Sequence, residues 1–347
     1  MPASTVSGKV VRTAKSSDGK LSKGSVDSEL TTDDLLKLHY FMRLTREFED
    51  NILRLYQQGK LVGGAYSGNG NEATAVGSAY ALTKDDFLFP LHRDMGAHFV
   101  KGQSILKLML QHLGRVNGPT RGRDGTGHYS DPSLRIYGNI SHLGAMMPVA
   151  CGVALAARIR KEKNVVMTYI GDGGASVGEV HESLMMASVM RLPLILIIEN
   201  NQYAYSTPIS KQFVVNRLSD RAIGYGIPGV TVDGTNVLEV YRVCKEAVDR
   251  ARNGQGPSLI ESITMRLHGH AAHDNAWYVP KKLIEAWKQK DPIGQFEHLL
   301  LSDGVLDQAK IKSMTGEIQR HIEEATKIAF DAPYPTGEDA ERWVYAE

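Results

Sequence analysis

The sequence predicts an α/β fold, a mostly parallel sheet with helices on both faces, and three observations carry that prediction. Residues 165–170 and 193–198 are apolar runs rich in β-branched residues, the pattern of buried strands. Gly171-Asp172-Gly173-Gly174 breaks the first run, and a helix starts near Val177 or Gly178 before the second. Further along, 230–232 and 259–265 repeat the pattern around a helix at 237–252. The right-handed crossover of a βαβ unit lays its strands parallel, with both following loops at one carboxyl edge. In open α/β sheets, ligands bind in the crevice along that edge.

The elements follow in chain order. Residues 1–29 are rich in Ser, Lys and Gly and have little to bury, so they predict a disordered arm. The arm has no apolar h-region and is not a secretory signal; a mitochondrial transit peptide would favour Arg over its Lys. From 30 to 347 the expectation is a single α/β domain with a helical C-terminal part. Thr32 caps a helix that runs to Gln58, with Gly59 as its stop. Leu38, Phe41, Phe48, Ile52 and Leu55 form its apolar face. Helices follow at 71–82 and 104–113. Residues 117–141 make a long Gly-rich connection carrying Arg121, Arg123, His128 and Arg135. Such a loop inside a compact domain is functional or a solvated linker. The apolar helix at 144–159 is rich in Gly and Ala and suits either the core or a subunit interface. Residues 267–280 carry His268, His270 and His273 without a periodic apolar face, and no cysteine pair accompanies them to make a common zinc site. Helices at 281–289, 292–301 and 307–330 end the chain.

Composition excludes several function classes. Lys plus Arg number 40 against 39 Asp plus Glu, a net charge of +1 over 347 residues. That balance offers no nucleic-acid footprint and no polybasic membrane patch. The helix at 144–159 is too short to span a bilayer and ends in Arg158, Arg160, Lys161 and Lys163. Cys151 and Cys244 both fall on apolar helix faces, so they read as buried thiols of a reducing compartment, the cytoplasm.

The chemistry concentrates between Tyr169 and Tyr203. Gly171-Asp172-Gly173 is followed, after 26 residues, by Asn200-Asn201. The spacer holds one helix and one strand, so the two loops meet at the sheet edge. Glycines let backbone amides approach a phosphate. Asp172 is a hard oxygen ligand; Mg²⁺ takes about six oxygens, from carboxylates and phosphates. Asn201 adds a side-chain carbonyl, and the Tyr203 backbone carbonyl adds another. A lone GDG is also a common tight turn; the order strand–GDG–helix–strand–NN is what makes the pair specific.

That pair resembles the thiamine diphosphate signature of transketolase-like enzymes. The wider chain resembles the α subunit of a two-chain 2-oxo acid dehydrogenase E1 component over roughly residues 31–330. The blocks that carry this are FMRLTREFED, GNGNEATAVG, PLHRDMGAHFVKG, GRDGTGHYSDP, the GDG–NN unit, IPGVTVDGTNVLEVY, GPSLIESITMRLHGH and KDPIGQF. The resemblance implies Asp172, Asn201 and the Tyr203 backbone oxygen as Mg²⁺ ligands, and a thiamine diphosphate cradle at Gly171, Gly173 and Gly174. Arg93 matches a phosphate-binding arginine; its preceding residue, a tyrosine in the family, is His92, and both, with His270, are among the cofactor-binding candidates. Ser141 and Leu143 match contacts to the aminopyrimidine ring. His270 matches a histidine facing the bound intermediate, and His128 another loop histidine near the site; both are candidate catalytic residues.

By the same resemblance, this chain supplies the diphosphate-binding half of the site. A β subunit supplies the other half with its activating glutamate, in an α2β2 assembly that passes acyl groups to a lipoyl-bearing E2. Departures leave the substrate open. Tyr66 stands where many pyruvate enzymes have a histidine. Ser141-His142-Leu143 and Tyr203-Ala204-Tyr205-Ser206-Thr207-Pro208 look like the branched-chain relatives, but Ala145 and Met146 replace their polar potassium ligands. IPGVTVDGT is similar to acetoin dehydrogenases. Ala271 and His273 replace two regulatory serines, which excludes phosphorylation there. The alternatives are an acetoin-cleaving subunit and, from another class, a non-catalytic cofactor-binding scaffold.

Overall fold

The computed structural model describes residues 30–61, 63–125 and 127–342. The arm at 1–29 therefore lies outside the described residues. Helix α1 (Thr32–Gln57) is capped one residue earlier than expected. Thr31 accepts the Asp34 amide at 3.2 Å, and Asp34 accepts the Thr31 amide at 2.9 Å, a reciprocal capping box. Helix α2 (Glu72–Tyr80), strand β1 (Phe87–Phe89) and helices α3 (Met95–Val100), α4 (Ile105–His112) and α5 (Met146–Ile159) follow. Strand β2 (Val166–Gly171), helix α6 (Gly178–Val189) and strand β3 (Leu194–Asn200) form the expected βαβ unit. A short antiparallel pair, β4 (Tyr203–Ala204) and β5 (Thr207–Pro208), comes next. Helix α7 (Ala222–Tyr225), strand β6 (Gly229–Asp233), helix α8 (Val237–Arg252) and strand β7 (Ser258–Ile263) complete the sheet; helices α9 (Lys281–Lys288), α10 (Pro292–Ser302) and α11 (Gln308–Asp331) end the chain.

The main sheet is five-stranded, in the order β1-β2-β3-β7-β6, and every pairing is parallel. Alternation along its central strands explains burial on both faces. Met167, Tyr169, Ile195 and Ile197 pack with Ala75 and Ala79 of α2 and Val240 and Cys244 of α8. Val166, Ile170, Leu196 and Ile198 pack on the other face with Ala150, Cys151 and Ala154 of α5 and Val180 and Leu184 of α6. Both cysteines are buried and free, on opposite faces of the sheet, as expected of packing thiols. Helices α1, α4 and α11 enclose a further core around Phe48, Phe99, Leu108 and Ile318.

Asp86 ties β1 to its neighbours. It is fully buried and accepts Arg252 Nη2 at 2.7 Å and the amides of Thr83 at 2.7 Å and Val165 at 2.8 Å. Burial pushes its carboxyl up, but these donors outweigh burial and hold it below the ordinary aspartate value. A depressed folded-state pKa contributes stability above the unfolded value, and that contribution fades as pH falls through the folded one. Asp86→Ala is expected to cost about 3–5 kcal/mol of unfolding free energy, the usual result of breaking a buried pair. Denaturant melts at neutral pH measure this; the gap between variant and wild type should narrow as the pH falls through the folded-state value.

Candidate active site

The carboxyl ends of β1, β2, β3 and β7 open onto one cleft of about 490 Å³. Each strand delivers its own residues. Leu91, His92 and Arg93 follow β1. Gly171 ends β2 opposite Glu199 on β3, and Asp172, Gly173 and Gly174 follow it. Asn201 and Tyr203 follow β3, and Arg266 and His270 follow β7. Ser141 and Leu143 enter from the loop before α5. The cleft thus gathers every residue proposed from the sequence except His128. That histidine stands one contact behind, with Nε2 at 2.9 Å from His92 Nε2 and 2.8 Å from Ser141 Oγ.

Asp172 and Asn201 leave a polar gap that suits a hard cation. Asp172 is 1% exposed, and Gln212 Nε2 donates to its Oδ2 at 2.6 Å. Burial raises its carboxyl against that bond; a bound cation would reverse this balance. Asn201 is buried and its Oδ1 has no partner, and a buried unsatisfied acceptor points to a missing ligand. One carboxylate and one free amide oxygen on neighbouring strand ends fit Mg²⁺ completed by phosphate oxygens. Among the described residues, no group of three or more His, Cys, Asp or Glu could hold a metal without such help. The Tyr203 carbonyl carries a long 3.4 Å contact from Arg266 Nη1, so this guanidinium is a neighbour of the third proposed ligand.

The glycines have a packing reason as well. A Cβ at Gly173 would lie 2.5 Å from that of Ala204, and one at Gly174 would lie 2.7 Å from Ile170 Cδ1. Only at Gly171 is the added position open, with nothing within 4 Å. The expected approach of a phosphate therefore adds to a constraint the fold already imposes at Gly173 and Gly174.

Arg93 and His270 line the same cleft as the glycines. The Arg93 guanidinium donates to the Ser67 carbonyl at 2.7 Å and the His270 carbonyl at 2.6 Å, so it joins the β1 loop to the β7 loop. Burial, followed by Arg93 and Arg266, pushes the His270 imidazole down to about 4. It is neutral at pH 7, and its Nδ1 is buried without a partner. Tyr66 and Tyr205 flank the ring, with centroids 5.7 and 4.5 Å away. His92 is likewise held down, to about 4, by burial and then by His128 and Arg93.

Sequence reading passed over Glu199, Arg266, Tyr205 and Gln212. Burial pushes the carboxyls of Glu199 and Asp94 up, and the nearby Asp94 raises Glu199 further. A signal for both Glu199 and Arg266 was present. Each is a charge at the end of an apolar strand run, where burial demands a partner or a ligand. Tyr205 lies in a segment that resembles branched-chain relatives but carries no site signal of its own, and Gln212 lies in irregular chain with none.

With this geometry in hand, comparison with known proteins is decisive. The dehydrogenase E1 component family matches residues 40–338. The chain belongs to that family. A 2-oxoisovalerate dehydrogenase subunit alpha of Bacillus subtilis is 37% identical over 92% of this chain and 97% of its own length. The alpha subunit of an acetoin:2,6-dichlorophenolindophenol oxidoreductase of the same organism is 36% identical over 91% and 95%. A pyruvate dehydrogenase E1 component subunit alpha of Rhizobium meliloti is 34% identical over 90% of each chain. The protein is an E1 α subunit of the 2-oxo acid dehydrogenase family, an oxidoreductase component whose relatives are named as subunits. Among the described residues no helix is long and apolar enough to cross a membrane.

Proposed function

We propose that this chain binds thiamine diphosphate with Mg²⁺ and, with a β subunit, decarboxylates a 2-oxo acid and passes the acyl group to a lipoyl-bearing E2. One observation carries the reading: Asp172 and the unpartnered Asn201 oxygen stand at adjacent strand ends and line one cleft with Arg93 and His270. Asp172, Asn201 and the Tyr203 carbonyl would hold the cation; Gly171, Gly173, Gly174 and Arg93 would hold the diphosphate. Ser141 and Leu143 would flank the aminopyrimidine. When bound, the cofactor's thiazolium ring supplies the electron sink for loss of carbon dioxide. His270, neutral and aromatic-flanked, would hold or accept a proton at an imidazole nitrogen for the substrate oxygen. His92, His128 and Ser141 form a hydrogen-bonded wall that orients the cleft's other side. Buried free Cys151 and Cys244 support a reducing, cytoplasmic setting.

The β subunit has a face to dock on. Helices α5 and α6 leave Val149, Ile159, Met185, Met186 and Val189 exposed, on two elements that begin beside the cleft. Apolar patches of this kind mark interaction surfaces. This supports the interface reading for the outer face of the 144–159 helix, whose inner face is core.

The substrate is proposed as a 2-oxo acid with a small aliphatic side chain, pyruvate or a branched-chain acid. Acetoin is the second reading, favoured by the similarity to acetoin-oxidising subunits. Turnover of the three compounds by the purified α–β complex, with an artificial electron acceptor, tests the proposal. The chain alone is expected to show no turnover, and adding the β subunit should restore it. Decarboxylation by the isolated chain would defeat the two-subunit reading.

A further inference from the structure

Helix α1 presents two consecutive acids, Glu49 and Asp50, to residues 65–69. Glu49 is only 4% exposed; its Oε2 accepts the Gly68 amide at 2.6 Å and Ser67 Oγ at 3.0 Å. Asp50 accepts the Asn69 side-chain amide at 2.7 Å. The held segment pairs with the His270 loop at both ends. Ala65 O accepts the Ala272 amide at 2.9 Å, and Asn69 O accepts the Leu267 amide at 3.1 Å. Arg93 closes the figure, spanning from Ser67 O to His270 O. There is no slack at its centre: a Cβ on Gly68 would lie 2.1 Å from the Arg93 carbonyl oxygen and 3.0 Å from Glu49 Oε1.

We infer that Glu49 is a positioning residue, which fixes Ser67 and Gly68 from behind and thereby sets the places of Arg93 and His270 in the cleft. Glu49 does not itself line the cleft. It lines a smaller cavity behind Tyr66 and His92 with Phe48, Ile52 and Met95. Burial, and then nearby Glu72, push its carboxyl well above the ordinary range, so its service to the two donors is that of an acceptor rather than a charge. The cost of deleting it is two buried donors left without a partner, on the segment that anchors Arg93.

The inference rests on the cleft being the thiamine diphosphate and 2-oxo acid site. Its test uses the α–β complex, with two readouts: thiamine diphosphate affinity by calorimetry and steady-state kinetics with the 2-oxo acid. Glu49→Ala should lower kcat/KM and weaken cofactor binding by about 10–100-fold each, the usual range for groups that orient ligands. Glu49→Gln keeps an oxygen at the same place and should recover both to within about threefold. Ser67→Ala removes one of the two bonds and should fall between, and it decides the matter if Glu49→Ala does not fold. Wild-type constants in Glu49→Ala, or in Ser67→Ala should Glu49→Ala not fold, overturn the inference. A Gln variant as impaired as the Ala variant also overturns it, since the charge would then matter and not the bond. So does a lowered melting temperature with both constants intact. A wild-type complex that neither binds the cofactor nor turns over any 2-oxo acid defeats the functional reading itself, and the inference with it.

Discussion

Asp172→Ala is expected to abolish Mg²⁺-dependent binding of thiamine diphosphate by the α–β complex. Asp172 is the carboxylate of the GDG turn, buried at the end of β2, and its one side-chain donor is Gln212. Asn201 offers an unpartnered oxygen, but it is neutral. Without the carboxylate, the proposed ligands offer the cation only an amide oxygen and a backbone carbonyl already touched by the Arg266 guanidinium. A hard divalent cation that gives up its waters reluctantly does not settle there. Groups that merely orient a metal's ligands are worth about 10–100-fold in affinity, so loss of the sole charged ligand proposed should exceed about 100-fold. Asp172→Asn keeps an oxygen and should fall between the alanine variant and wild type. Calorimetric titration with and without Mg²⁺ measures both. Wild-type affinity in Asp172→Ala would remove Asp172 from the metal site and with it the reading of the cleft.

Much of this was legible from the chain because it is local or periodic. The two apolar runs and the glycine break gave the βαβ unit, and register then brought Gly171 opposite Glu199. Helix α8 begins and ends where its periodicity does, with Asn236 as its cap. Strand β1 was missed because three residues, Phe87–Phe89, are too few for alternation to register before Pro90. Helix α3 spans six residues, less than two turns, and was absorbed into its loop. Thr31 and Asp34 have the spacing of a capping box, so the cap of α1 is Thr31 and not the adjacent Thr32. Resemblance offers Arg93 as a phosphate ligand, but its anchors on Ser67 and His270 are not legible. They are backbone carbonyls 26 and 177 residues away, and no periodicity reports such contacts. Glu49 was silent for the same reason; on a helix it reads as one more polar position.

His270→Ala is expected to lower turnover by roughly 10²–10⁴-fold, the usual worth of a positioned acid–base group, with cofactor affinity little changed. The two constants separate because the ring and the backbone of His270 do different things. Its carbonyl accepts Arg93 and its amide donates to Asp274 Oδ2 at 2.6 Å, and alanine keeps both groups. Arg93 is therefore held as before. What alanine removes is the imidazole, set between Tyr66 and Tyr205 with Nδ1 free of any partner. Held down to about 4 by burial and two arginines, that ring is neutral in the free subunit at physiological pH. The free-enzyme profile of kcat/KM should therefore show no acid limb from His270 between about pH 6 and 8. If instead the profile breaks near the ordinary histidine value and the break disappears in His270→Ala, the β subunit has restored the ring's charge. If the alanine variant loses cofactor affinity in proportion to turnover, His270 is an anchor for the cofactor and the proton-handling role given to it here is wrong.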